Sequence, residues 1–295
     1  MTENIEAPLS LGAAAFLGVL QGVAEFLPIS SSGHLALAQH FMGLEKLPLF
    51  FDLMLHVGTL AAVVWHYRQD LFGAPTQPSE AIPNLRDRTS LIRLCCWLAL
   101  ALAPAVAAKL AFKETEKGKS PTARSRIGDM REHASERPLT VLSFMGVTSL
   151  VLLAASRKSP GGVGVSQMNW RYALFIGCAQ ALSALCPGLS RSGMTISASL
   201  LLGFSAAWAV NFSLLLSIPT ILAASVWEAR HLTFDWVQAN WMQTMLGALI
   251  AAVVGWMSIQ LLARSVARRQ WGGFAVYLWL LILVVGPFAW FRPQL

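Results

Sequence analysis

The sequence predicts an all-α integral membrane protein of two inverted-topology repeats, with six full transmembrane helices and two re-entrant helix hairpins. Three observations carry this. Of 295 residues, 55% are hydrophobic and 13% charged, about half the charged share of a soluble domain. Several apolar stretches approach the roughly 20 residues needed to cross a bilayer. Two further apolar stretches are broken by proline, serine and glycine, and they read as edited copies of one another. A single membrane domain spans 1–295.

The start of the chain, Met1 to Pro8, is acidic rather than basic, so no cleavable signal peptide is expected and the internal segments direct insertion. The first broken pair covers about 9–27 with 34–44. Pro28 removes a backbone donor and Gly33 permits a tight turn. Each half is too short to span alone. Such backbone is tolerated at membrane depth only where protein or a water-filled cavity surrounds it, hence a re-entrant hairpin.

A full span follows at about 49–67, then a polar loop, Arg68 to Thr89, then a span at about 90–111. These complete the first repeat, about 9–112. The segment of about 113–138 mixes Lys113, Lys117 and Arg124 with Glu114, Glu116 and Asp129. It has no apolar period and reads as a solvated loop. A span at about 139–156 precedes the second broken pair, about 170–186 with 192–203. Spans at about 206–227 and 241–263 complete the second repeat, about 170–263, and a last span at about 272–291 closes the bundle.

The repeat rests on polar matches as well as apolar ones. Gly18 and Gly177, Gln21 and Gln180, and Pro28 and Pro187 all lie 159 positions apart. Gly43 answers Gly203, and Phe51, Leu55 and Thr59 answer Phe212, Leu216 and Thr220. Three full spans separate the hairpins, and an odd number inverts the second copy. Inverted repeats with broken helices place a polar site near the midplane, at the repeat interface.

The net charge of +7 does not indicate nucleic acid, because the basic residues lie between apolar segments and mix with acids. Basic residues fall on both sides, so charge alone does not orient the chain. Cys95, Cys96, Cys178 and Cys186 lie in apolar stretches without metal-type or disulfide spacing, and read as buried, inert thiols.

Polar groups in such sequence are expensive and usually functional. Gln21 and Glu25 share a helix face. Glu25 could bind a divalent cation, act as acid or base, or pair with Arg191. Ser30, Ser31 and Ser32 precede a helix start, where unpaired N–H groups and the dipole attract phosphate. Capping is the plainer role for a serine there. Ser31 and His34, three apart, form a nucleophile–base pair in principle. Arg191, between Ser190 and Ser192 at the second break, stays charged and matches phosphate oxygens with a planar fork of donors. If the breaks meet, the set is phosphoryl-transfer equipment. Asp52, His56 and His66 receive no firm role.

At these residues the chain resembles the undecaprenyl-diphosphate phosphatase, or bacitracin-resistance, family. The stretch from Gln21 to His34 is similar to its first motif, and Pro187 to Gly193 to its second; Leu214 to Pro219 is similar to a further family stretch. The resemblance implies an integral enzyme that converts undecaprenyl diphosphate to the monophosphate carrier of cell-wall synthesis, giving bacitracin resistance. It implies a multi-pass protein of the bacterial cytoplasmic (inner) membrane whose site opens to the outer, periplasmic side. It implies a divalent cation, magnesium or calcium. Ser31 becomes nucleophile or phosphate binder, His34 base or acid, Glu25 a catalytic or metal-binding carboxylate and Arg191 the diphosphate clamp. Gln21, Ser30, Ser32, Ser190 and Ser192 become supporting substrate-binding groups. The partners are then a polyprenyl diphosphate and membrane lipid, with no nucleic acid; a homo-oligomer stays open. Gln21 stands where the family has either Glu or Gln, which leaves one carboxylate fewer beside Glu25.

The rival class is a secondary transporter or lipid flippase of the same inverted-repeat design. A transporter needs only binding groups. The Ser31, His34 and Arg191 set favours hydrolysis. A type-2 phosphatidic acid phosphatase shares the Ser32-Gly33-His34 echo, but the rest of its motif set is not found.

Overall fold

Serine and asparagine caps define the starts of the hairpin helices. Ser10 accepts from the Ala13 amide and opens α1, Leu11–Phe26; Ser30 accepts from the Gly33 amide and opens α2, Ser31–Met42. Asn169 accepts from the Arg171 and Tyr172 amides and opens α7, Trp170–Leu185; Ser190 accepts from the Gly193 amide and opens α8, Arg191–Leu201. Each cap satisfies donors that a helix start leaves unpaired. Gly43 (φ 66°) and Gly203 (φ 91°) lie just past the ends of α2 and α8, in the left-handed region that glycine enters freely.

The other helices are α3 (Leu49–His66), the short α4 (Arg68–Phe72), α5 (Arg88–Lys117), α6 (Pro138–Arg157), α9 (Ala206–Glu228), α10 (Trp241–Ala267) and α11 (Trp271–Phe291). The computed structural model describes residues 9–44, 47, 49–72, 83, 85, 87–117, 137–159, 161–228 and 239–291. Among these the chain is all-helical, apart from one isolated bridge between Val163 and Phe204.

Among the described residues, five helices are long and apolar enough to cross a membrane: α5, α6, α9, α10 and α11. The sixth expected span, α3, is a shorter apolar helix over Phe50–His66. This chain is therefore a multi-pass membrane protein. Pro104, Pro219 and Pro287 lie inside α5, α9 and α11, as membrane helices tolerate.

Two expectations about boundaries are corrected. The second half of the first hairpin begins at Ser31, not at residue 34, because Ser30 caps it. The helix of the 90–111 span continues to Lys117, so the start of the expected 113–138 loop is helical. Residues 118–136 lie outside the described residues, as do 73–82 of the polar loop. The cysteines also differ from expectation: Cys95, Cys96 and Cys178 are exposed on the apolar surface rather than buried.

Small residues set the packing. A Cβ on Gly18 would lie 2.6 Å from the Gly247 carbonyl oxygen, and one on Gly22 would lie 2.8 Å from Val254 Cβ, so α1 and α10 nearly touch backbone to backbone. Gly177 makes the matching approach of α7 to Ala101 of α5, at 2.5 Å from its oxygen. Membrane helices associate through such stripes because lipid offers little hydrophobic gain. Helices α3 and α10 run parallel, with Gly58 beside Ala248 and Ala62 beside Gly255. Helix α6 runs antiparallel to α11, and Ser149 Oγ donates to the Ala275 carbonyl at 3.0 Å.

These directions give the bundle two ends. The near end holds the start of α1 and the end of α9. The far end holds His66, the start of α9 and Arg269, which line one cavity. The α1–α2 hairpin dips in from the near end, and α7–α8 from the far end. Their breaks meet: Ser192 Oγ donates to the Leu27 carbonyl at 3.0 Å, and Gly33 packs on Gly188.

Candidate active site

Glu25 is in the last turn of α1, and Ser31 and Arg191 are the first residues of α2 and α8. The meeting of the breaks therefore brings these three side chains together. Arg191 Nη2 donates to Glu25 Oε1 at 2.5 Å. Glu25 Oε2 accepts from Ser31 Oγ at 2.7 Å and from Gln21 Nε2 at 3.1 Å. An arginine at a helix start opposes the helix dipole. Here it is held by a carboxylate whose side chain is 5% exposed.

A cavity of about 380 Å³ opens on this cluster. Glu25, Ser30, Ser31, Ser32, Ser190, Arg191 and Ser192 line it, with Asp52, His56, Gln180 and Thr220. The α3 residues come from its first half and the α9 residues from its second, so the cavity faces the near end. Two helix starts and a guanidinium converge on it, which gives it hydrogen-bond donors suited to phosphate.

Most expected site residues are therefore together. Ser190 and Ser192 line the cavity while also building it: Ser190 N donates to Thr148 Oγ1 at 3.0 Å, and Ser192 ties the two breaks. Gln21 is fully buried and does not line the cavity; its amide donates to Glu25.

His34 is a correction. It does not line the cavity, and its ring nitrogens are committed to the Ser30 carbonyl and the Tyr277 hydroxyl, each at 2.8 Å. The expected Ser31–His34 pair is not formed. Ser31 turns back across the break to Glu25, while His34 reaches to the other side.

Two residues take places that sequence reasoning missed. His56 Nε2 lies 3.7 Å from Glu25 Oε2. Its Nδ1 donates to the Asp52 carbonyl at 2.7 Å, which leaves Nε2 directed into the cavity. Gln180 is 1% exposed and lines the cavity beside Thr220. Its match to Gln21 was the signal that could have found it. No comparable signal marks His56.

Among the described residues, no group of three or more His, Cys, Asp or Glu converges to hold a metal ion. Glu25, expected as a metal ligand, has both oxygens engaged by Arg191, Ser31 and Gln21. Asp52 Oδ1 accepts from Gln39 at 2.8 Å.

The chain is similar to known proteins over most of its length. The model of the family described as "Bacitracin resistance protein BacA" matches residues 14–284. The protein named undecaprenyl-diphosphatase 2 of Stutzerimonas stutzeri (strain A1501) is 36% identical over 263 residues, covering 88% of this chain and 92% of the relative. The undecaprenyl-diphosphatase of Desulfosudis oleivorans is 35% identical over 274 residues, 90% and 93% of the two chains. That of Syntrophotalea carbinolica is 37% identical over 278 residues, 91% and 95%.

Proposed function

Because this chain belongs to the bacitracin resistance protein family, we propose that it removes the terminal phosphate of undecaprenyl diphosphate. The products are the monophosphate lipid carrier and inorganic phosphate. This is the chemistry behind bacitracin resistance and carrier recycling for the cell wall. The transporter or flippase alternative is not favoured by these relatives.

One contact carries the mechanism: the Ser31 hydroxyl donating to a carboxylate that is itself held by Arg191. Phosphoryl transfer needs positioning and charge neutralisation more than covalent assistance. We read the Ser31 oxygen as the attacking group on the terminal phosphorus. Glu25 takes its proton as the new O–P bond forms and the bridging P–O bond breaks. Arg191 and the N–H groups at the starts of α2 and α8 neutralise the phosphoryl oxygens. The polyprenyl monophosphate leaves. Glu25 passes the Ser31 proton to the departing monophosphate, takes one from water as the water oxygen bonds to the phosphoserine phosphorus, and returns it to the Ser31 oxygen as the Ser31–phosphorus bond breaks and inorganic phosphate is released. His56 and Gln180 contact the diphosphate from α3 and α7.

A divalent cation, when bound, would supply charge neutralisation. The donor set fits one delivered on the diphosphate better than one resident in the protein, since such ions use one or two carboxylates plus substrate oxygens. Asp52, which lines the cavity and has one oxygen engaged by Gln39, would help to hold it.

The finer architecture is proposed on the same footing. The inverted-repeat reading is supported by matching caps at Ser30 and Ser190, matching close approaches at Gly18 and Gly177, and matching helix ends at Gly43 and Gly203. A cytoplasmic-membrane location with the cavity opening outward is proposed from the family resemblance alone, since basic residues stand at both ends of the spans.

The test is direct. Purified protein in detergent, with magnesium or calcium added, should release inorganic phosphate from undecaprenyl diphosphate and leave the monophosphate. Absence of release at every cation tried would overturn the reading.

A further inference from the structure

We propose that His34 and Tyr277 form a clamp that holds the Ser30 peptide in a left-handed conformation, and so aims Ser31 at the substrate phosphorus. The proposal rests on the phosphatase reading above. It makes both residues positioning residues rather than catalytic ones.

The two breaks do the same job with different lengths. Ser30 follows Pro28 by two positions, whereas Ser190 follows Pro187 by three. Both serines cap a helix by accepting from the glycine amide three residues on. Each also lies beside the serine two residues on, at 3.5 Å and 3.3 Å.

In the longer break, Gly188 takes the positive φ (92°), and Ser190 keeps an ordinary φ of −69°. The shorter break has no glycine to do this. There Ser30 itself adopts φ 73° and ψ 92°. An L residue enters that region only when its surroundings hold it there.

His34 is the holding group. Its Nδ1 lies 2.8 Å from the Ser30 carbonyl oxygen, and its own amide donates to the same oxygen at 3.1 Å. A carbonyl only accepts, so Nδ1 carries the proton. In the neutral ring Nε2 is then an acceptor, and the Tyr277 hydroxyl donates to it at 2.8 Å. The two rings stack 8° from parallel with centroids 5.7 Å apart, which fixes the imidazole plane.

Tyr277 is on α11, outside both repeats, 243 positions from His34. The second copy has Met194 where the first has His34. Methionine offers no donor, and Ser190 in its ordinary conformation needs none. The histidine therefore appears only where the backbone is strained. The peptide it holds leads straight into Ser31, and small misplacements of a reacting group cost rate steeply.

The test compares kcat and KM for phosphate release from undecaprenyl diphosphate. Tyr277→Phe should lower kcat about fivefold, the worth of one hydrogen bond, with KM unchanged. His34→Ala should lower kcat about 100-fold through misplacement. His34→Asn should recover about tenfold of that loss, because its amide can donate to the Ser30 carbonyl but cannot carry a proton. The double variant Tyr277→Phe/His34→Ala should be no worse than His34→Ala. A His34→Asn enzyme as inactive as His34→Ala, with Tyr277→Phe at the wild-type rate, would overturn the clamp. A second readout needs no turnover. Nitrogen-15 spectra of histidine-labelled protein should show His34 protonated at Nδ1, with Nε2 shifting in Tyr277→Phe; protonation at Nε2 would overturn the proposal. Wild-type protein that releases no phosphate would instead count against the phosphatase reading, and the spectra would still decide the clamp.

Discussion

Removing both charges of the Glu25–Arg191 pair should destabilise the protein far less than the two single removals added together. The pair is enclosed, with side-chain exposures of 5% and 17%. Deleting one partner of a buried pair costs about 3–5 kcal/mol, chiefly because the other charge is left unpaired. Arg191→Ala leaves Glu25 with the Ser31 and Gln21 donors, so its cost should fall near the low end, about 3 kcal/mol. Glu25→Ala is worse. It leaves Arg191 alone against the dipole of α8 and strands the buried Gln21 amide, for about 4 kcal/mol. The double variant removes both charges and should cost about 4 kcal/mol in all, well below the sum of the singles. The assay is unfolding in mixed micelles followed by fluorescence of the 11 tryptophans. All three variants should also lose phosphate release. Single-variant costs that add to within about 0.5 kcal/mol would refute a direct pair.

Two further predictions follow from particular contacts. His56→Ala should lower kcat for phosphate release by about 10–100-fold with a smaller change in KM, since His56 faces the reacting carboxylate; an unchanged kcat would remove it from the site. Gly18→Ala should destabilise the fold by about 1–3 kcal/mol, because its Cβ would lie 2.6 Å from the Gly247 oxygen. Gly12→Ala, with nothing within 4 Å of the added carbon, should be neutral or slightly stabilising, and equal effects in the two unfolding curves would refute the packing argument.

The residues legible in the sequence were those whose cost in lipid demands a reason. Glu25 and Arg191 stood out as charges in apolar runs, and the matched prolines and glycines located the breaks that bring them together. The internal echo also paired Gly18 with Gly177, which the structure shows making equivalent approaches to different helices. His56 was not legible. One histidine on an apolar helix has no local pattern, and its approach to Glu25 arises only from packing α3 beside α1. His34 was misplaced for a local reason. Spacing of three suggests a shared helix face with Ser31, but Ser31 is the first helical residue and turns back toward Glu25. The one-residue difference between the breaks was visible, yet its consequence at Ser30 needed backbone dihedrals.

The central claim is that Ser31, activated by Glu25, attacks the terminal phosphorus. The stereochemical course at that phosphorus tests it most directly. A polyprenyl diphosphate carrying a terminal thiophosphate chiral by oxygen isotopes would be hydrolysed in water of the third isotope. Attack by Ser31 followed by water is two in-line displacements and predicts net retention. Net inversion would mean that water attacks directly, and would contradict the account.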